Sequence, residues 1–571
     1  MRRGTTTAAV AAAIVTSVLG TAPAAADTTE QVVQEVLAAN VAAHGTDHAL
    51  DWDTASETAI DLAGGTAAVT GAGASAQGGT VTISAPGTYR VRGALTDGAL
   101  VVASAGEGTV RIVLDGASVT STTSAPLQVS EAGDVVVVLQ DGTTNALTDA
   151  ATYTYPEGED EPNAALFSTA DLTITGGGSL TVRGNANDAI ASKDGLVVAG
   201  GDLTVVAADD GVRGKDYLVV TGGTLDVAAG GDGLKSDDDA PEKGFVHLAG
   251  GAVRIVSGDD GVTAASDVVV SGGHLDVTSG GGVAGAGDGA KGVVGDVAVV
   301  IGGGTSSVDA YDDALHSDGT ITVASGSATL ATLGDGADAA ERLVVSGGAL
   351  SVTRSHEGLE AKVVEISGGL VGVTATDDAV NASDPASPDA VGAVPGVTVT
   401  ISGGRILLDS ATGDGLDSNG TAAMSGGLVV VNGPTEFINS AVDVNGDFQI
   451  TGGTVAGVSS GGLVGTPAAS SPQTWVSLSS EQPAGVLLHV LAADGTVVTS
   501  FRTSKPTGNV VVSHPSLVVG AQYRLAVGGT AGGPTLGGYH ETPGDATTAS
   551  VVATATAGRA GGWGGGTWPP R

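Results

Sequence analysis

Acidic residues recur along this chain at one kind of corner. They stand at Asp188, Asp210, Asp232, Asp260, Asp288, Asp313, Asp335, Glu357, Asp378 and Asp414, about 22 residues apart wherever no loop is inserted. Further carboxylates multiply around some of these corners, as in Asp209-Asp210, Asp216, Asp237-Asp238-Asp239 and Asp259-Asp260. A hard cation such as Ca²⁺ takes about 6–8 oxygen ligands and tolerates irregular geometry, so stacked acidic corners are candidate calcium ligands. The richest cluster is Asp188, Asp194, Asp209, Asp210, Asp216, Asp232, Asp237 and Asp238. A second account stands beside this one, because Asp before Gly also accepts hydrogen bonds from the turn backbone whatever the function. Lys193, Arg213, Lys215, Lys235 and Lys291 accompany the corners. They either relieve carboxylate repulsion, roughly 3 kcal/mol per neighbouring pair, or, with Tyr217 close by, line a groove for an anionic or hydroxyl-rich polymer.

The elements that must position these groups are short strands. Two residues after each acidic corner stands an apolar residue: Ile190, Val212, Leu234, Val262, Ala290, Leu315, Ala337, Leu359, Val380 and Leu416. Gly pairs form a second column, among them Gly200-Gly201, Gly222-Gly223, Gly250-Gly251, Gly272-Gly273, Gly403-Gly404 and Gly452-Gly453, each followed by an alternation such as Leu225-Asp-Val. Period two means strand. Strands of a few residues joined at Gly corners, one corner set about every 22 residues, predict an all-β fold: a right-handed parallel β-helix whose coils bury their inward columns against each other.

In chain order, residues 1–26 carry Arg2-Arg3, an apolar run and Ala24-Ala-Ala, the pattern of a secretory signal peptide, so the mature protein is expected to be exported. Residues 27–60 form an expected cap segment, with Val32, Val33, Val36, Leu37 and Val41 at helical spacing; its expected place is over the open end of the solenoid. The β-helix is expected over 61–465. A small antiparallel unit follows over 466–530, with Val486–Leu491, an Asp494-Gly turn and Tyr523–Val527. A flexible Gly-rich tail is expected from 531 to 571. With 22 Lys+Arg against 62 Asp+Glu and no Cys, the chain is not held by disulfides and its charge excludes nucleic acid and anionic membranes as natural partners. Beyond the leader, no run is long enough to span a membrane.

The block Asp209–Asp239, its Gly-Gly-Thr-Leu-Asp-Val strand and the later unit over 486–529 resemble the bacterial carbohydrate-binding domain-containing family, whose members form right-handed parallel β-helices related in shape to polysaccharide lyases. The resemblance implies binding of plant cell-wall polysaccharide, cellulose or polygalacturonate, with calcium at acidic corners and no established catalysis. The corner pattern weakens at Gly287–Lys291 and His356–Glu360, and residues 411–446 are poorer in paired acids, so the expected calcium sites lie earlier. On this reading Lys193, Arg213, Lys215, Tyr217 and Lys235 are the polymer-binding residues and no residue is catalytic. Two alternatives remain: a calcium-dependent lyase with Lys215 or Arg213 as base, and an adhesive surface solenoid without a sugar ligand. A hydrolase is disfavoured, because many equivalent Asp residues offer no pair with separated environments.

Overall fold

The computed structural model describes residues 26–47, 49–155, 158, 160–286, 289–387 and 392–558. The signal-peptide reading, the corner at Asp288 and the end of the tail lie outside the described residues. Two compact units divide the chain, one ending at Ala328 and the other beginning at Thr329. Parallel β-solenoid coils fill both, about 15 turns in all.

In the unit ending at Ala328, each regular coil has three short strands. One coil runs Val212–Gly214, Tyr217–Val220 and Thr224–Ala229; the next runs Leu234–Ser236, Phe245–Leu248 and Ala252–Ser257. They stack in parallel register, with Val212 against Leu234, Leu218 against Val246 and Leu225 against Val253. We call the three resulting walls faces one, two and three, in chain order. Alternation sends Val212, Leu218 and Leu225 inward, where they are fully buried, each such side chain contributing about 1.5–3 kcal/mol. The second Gly of each pair turns the chain between faces two and three. Gly223 has φ +81°, and a Cβ on it would lie 2.5 Å from the Gly201 carbonyl oxygen of the preceding coil. Both the left-handed conformation and the close stacking of coils therefore require Gly there.

Face two is buried on both sides, in keeping with its near-continuous apolar runs. Its outer cover is the N-terminal segment, which corrects the expected end cap. The helix Ala26–Ala39 packs Val32, Val33, Val36 and Leu37 on Val269 and Val300. Val41 follows on Val197, Tyr217, Val219 and Phe245, and Ala49 and Trp52 lie on Val113, Val136 and Val138. The segment is thus a strap along the flank of several coils. The first coil is instead closed by hairpins: Thr58–Gly64 pairs in parallel with Gly87–Leu95 and antiparallel with Thr66–Thr70.

The unit from Thr329 repeats the coil, for example Leu416–Ser418, Thr421–Met424 and Leu428–Asn432. Its face three is apolar on the outside as well, at Leu407, Val430 and Ala456, because a second layer covers it. Thr507–Ser513 pairs antiparallel with Thr454–Ser459 and with Trp475–Gln482. A separate sheet has the order Thr535–Leu536, Tyr539–His540, Val497–Arg502, Leu487–Ala492, Gln522–Val527, Ser550–Thr556. Leu488, Phe501, Tyr523 and Leu525 join Leu407 and Val430 in one core. The antiparallel unit expected over 466–530 therefore runs on to Thr556, and residues 531–558 belong to it rather than to a free tail.

One ion pair secures the first hairpin. Arg90 donates from Nε and Nη2 to Glu57 Oε2 and Oε1, both at 2.6 Å, and from Nη1 to Asp115 Oδ2 at 3.1 Å. The Arg90 hydrogen bonds hold the Glu57 carboxyl below its ordinary range. A carboxyl depressed in the folded state stabilises above its free value and loses that contribution as pH falls through the folded one. Glu57→Gln is expected to cost about 1–3 kcal/mol at pH 7. In urea unfolding followed by circular dichroism, the gap to wild type closes as pH is taken below 4.5.

Candidate functional site

On face one, each strand from Val212–Gly214 on to Val262–Ala264 presents one outward residue between two inward ones, whereas the outward Phe167 and Ala191 of the coils before them are buried. In the unit ending at Ala328 the register aligns Ala191, Arg213, Lys235, Thr263, Val294 and His316. In the unit from Thr329 the same position is held by Asp338, Glu360, Asn381, Asp417 and Asp443. One position in the coil thus carries cations in one unit and carboxylates in the other.

The corner acids run beside this column and have a structural task. The backbone N–H of Asp210 donates to Asp188 Oδ1 at 3.3 Å, that of Asp232 to Asp210 Oδ1 at 3.0 Å, and that of Asp260 to Asp232 Oδ1 at 3.0 Å. Lys291 N donates to Asp260 Oδ1 at 2.7 Å. Corner amides left out of the strand ladders are satisfied in this way, so turn-making accounts for one oxygen of each carboxylate. The second oxygens of Asp188, Asp210 and Asp232 meet the cations of the column. Lys235 Nζ lies 3.1 Å from Asp210 Oδ2 and 2.7 Å from Asp232 Oδ2, and Arg213 spans Asp188 at 3.4 Å and Asp237 at 3.5 Å. Burial raises the Asp188 carboxyl to about 7 against the pull of Arg213, with Asp210 and Asp209 adding repulsion. Burial also raises Asp232, which Lys235 opposes.

The eight acids singled out as a calcium cluster do not converge. Asp188, Asp210 and Asp232 line the near edge of face one, with Asp209 exposed beside them. Asp194, Asp216 and Asp238 follow the strand at its far edge, where Asp216 pairs with Lys243 at 2.5 Å and Asp238 Oδ1 accepts from Ala240 N. A three-residue strand stands between the two rows. With Arg213 and Lys235 already set among the near row, that donor set is a poor fit to a metal ion.

Of the five residues expected to bind a polymer, Arg213 and Lys235 point outward on face one. Lys193 is paired with Glu161 at 2.5 Å, and Lys215 is half-buried just past the strand. Tyr217 is a correction. It opens face two, is 4% exposed, stacks on Phe245, and holds the strap through His44, whose Nδ1 lies 2.8 Å from its hydroxyl. The double burial of face two removes it from solvent.

Acidic groups close enough to share one ion occur where the sequence pattern is weaker. His356, Glu357 and Asp377 bring ligand atoms within 4.8 Å of one another, as do Asp414, Asp417 and Asp443. Burial, then Glu360, raises the Glu357 carboxyl to about 9. The signal missed in the sequence was the outward strand position, three residues after the corner, which in Asp414-Gly-Leu-Asp417 places a second carboxylate beside the first.

Residues 77–339 match the family model for carbohydrate-binding domain-containing proteins. The matched segment holds the ladder and the cation column. A carbohydrate-binding domain-containing protein of Acetivibrio thermocellus is 41% identical over 128 residues, 22% of this chain and 45% of the relative. The chain therefore spans less than half of that relative's length. A polysaccharide lyase-like protein from C. thermocellum, solved as a gadolinium derivative, is 34% identical with a TM-score of 0.38, covering 39% of this chain and 91% of the other.

Because Lys235 sits between two carboxylates, removing its charge leaves both uncompensated. Lys235→Met is expected to destabilise by about 2–4 kcal/mol in urea unfolding at pH 8, discounted for its partial exposure. The double variant Lys235→Met with Asp232→Asn regains part of that loss.

Proposed function

We propose that this is an exported, non-catalytic polysaccharide-binding protein that holds its polymer along face one of the unit ending at Ala328. The observation that carries the reading is the uncovered column of Arg213 and Lys235, flanked by carboxylates, inside the segment that matches the carbohydrate-binding family. A surface repeating once per coil suits a polymer with its own repeat, since every few sugars meet the same donors and acceptors. Arg213 and Lys235 offer N–H donors to uronate carboxylates and hydroxyls, and carboxylates accept from hydroxyls. Calcium is the bridging ion in this reading. It joins polymer carboxylates to the exposed Asp209 and Asp259 beside the ladder. Among cell-wall polymers, polygalacturonate suits this mixture of cations and calcium-bridged acids better than cellulose, which would need a flat aromatic platform. Tyr217 is buried, and so is Phe167, which stands in register with Ala191 in the column itself.

The test is retention of the leaderless protein on polygalacturonate and on insoluble cellulose, each with excess calcium and with a chelator, while unsaturated-product absorbance is followed. Calcium-dependent retention on polygalacturonate without new absorbance is the expected result. Absence of retention on both polymers would overturn it, and rising absorbance would make the protein a lyase.

A further inference from the structure

The acids of face one in the unit from Thr329 are arranged differently from those of the matched segment. Asp378 Oδ1 accepts from Asp414 N, and Asp414 Oδ1 accepts from Ser440 N, so each corner again spends one oxygen on the next coil. Here, however, the outward column adds Asp417 and Asp443 instead of a lysine or arginine. The charges acting on Asp417 are those of Asp378, Asp414 and Asp443, all of one sign. Four of the basic residues described in this unit pair with other acids: Arg342 with Glu365, Lys362 with Asp384, Arg405 with Glu541 and Lys505 with Asp409.

A second observation points into the same place. Asn381 stands in register directly beside Asp417 in the preceding coil and is 8% exposed. Its Nδ2 donates to Glu357 Oε2 at 2.8 Å and to Glu360 Oε1 at 3.5 Å, both on the far side from Asp417. Its Oδ1 is buried and has no hydrogen-bond partner. With the donor end turned to the preceding coil, the acceptor end is left toward Asp417. A buried amide oxygen without a donor, facing carboxylates without a counter-charge, is what an oxygen-liganding cation completes.

We propose that Asp414, Asp417 and Asp443, with Asp378 and the Asn381 Oδ1, form a seat for one hard divalent cation of the calcium class that joins the late coils of this unit. One oxygen from each of Asp414, Asp417 and Asp443 lies within 4.8 Å of the others, the widest separation that ligands about 2.4 Å from a shared ion allow. Asp414 is buried, Asp417 half-buried and Asp443 exposed, so the ion reaches the seat from the Asp443 side and water fills the remaining positions. The seat lies outside residues 77–339 and is independent of polymer binding.

The experiment is calcium titration of the leaderless chain by calorimetry and by thermal unfolding, with no carbohydrate present, on wild type and on Asp417→Asn with Asp443→Asn. Wild type is expected to bind calcium and to gain melting temperature that a chelator removes. The double variant is expected to bind one equivalent fewer, to lose most of that gain, and to melt no lower than wild type in chelator, because a like-charge pair has been removed. The single variant Asp443→Asn, at an exposed position, serves as a second test should the double variant not fold, and is expected to weaken the site at least tenfold. Wild type without calcium binding, or variants with unchanged stoichiometry and affinity, would overturn the proposal. Loss of polymer retention alone leaves these readouts unmoved, so the two readings fail separately.

Discussion

The hydrogen bond from a corner amide to the carboxylate of the coil before it is the contact on which this stack depends. Between the end of face three and the short strand of face one that follows, the backbone turns too sharply for the corner N–H to join a strand ladder. The amide is nevertheless buried and requires an acceptor. Asp supplies one from a short side chain, at Asp188, Asp210, Asp232 and Asp260 in one unit and at Asp378 and Asp414 in the other. The solution creates a second problem, for it sets one carboxylate above another at the strand spacing of about 4.8 Å. Neighbouring charges at that distance repel by roughly 3 kcal/mol at an effective dielectric near 20. Everything outward of the corner can be understood as a response to that line of charge.

Which wall answers it follows from which one borders the corner acids, while one other wall in each unit is covered. Face two is sealed by the N-terminal strap, whose helix, Val41 and Trp52 each settle on different coils. Face three of the unit from Thr329 is sealed by the antiparallel sheet resting on Leu407 and Val430. Face one runs beside the corner acids, and its short strands offer one outward side chain per coil. That single position therefore determines how the ladder is neutralised and what the surface presents to solvent.

The solenoid was legible because its signals are local and repeated: an acidic corner, an apolar residue two further on, a Gly pair and a period-two strand. The column of ten apolar residues from Ile190 to Leu416 is inward in the structure wherever it is described. The covers were less legible. A helix with Val33 and Leu37 on one side announces an apolar face without saying whether it meets an end or a flank. The answer lay in face two, where Tyr217-Leu-Val-Val220 and Asp267-Val-Val-Val270 are apolar without alternation and so need burial on both sides. The site was misread for a related reason. Counting acids in the sequence favours Asp209–Asp239, but a count does not show that Arg213 and Lys235 project among them. Nor does it show that Asp417 and Asp443, 26 residues apart, are register partners.

The exchange of charge at one register position gives the two units different chemistry on the same backbone. With Lys235 between Asp210 and Asp232, the ladder carries its own counter-ions, and its face presents donors and acceptors of both signs to a ligand. With Asp417 and Asp443 at the equivalent place, the carboxylates outnumber any cation that reaches them, and burial of Asp414 raises its carboxyl to about 7. Such a group has two routes to neutrality, taking up protons or binding an ion. A proton taken up by Asp417 would also meet the Asn381 oxygen, because a protonated carboxyl carries an O–H donor. A cation meets the same oxygen while the acids stay ionised, so the two routes differ in what the late coils take up, and calcium binding without carbohydrate is what separates a metal seat from a line of protonated turn-making acids.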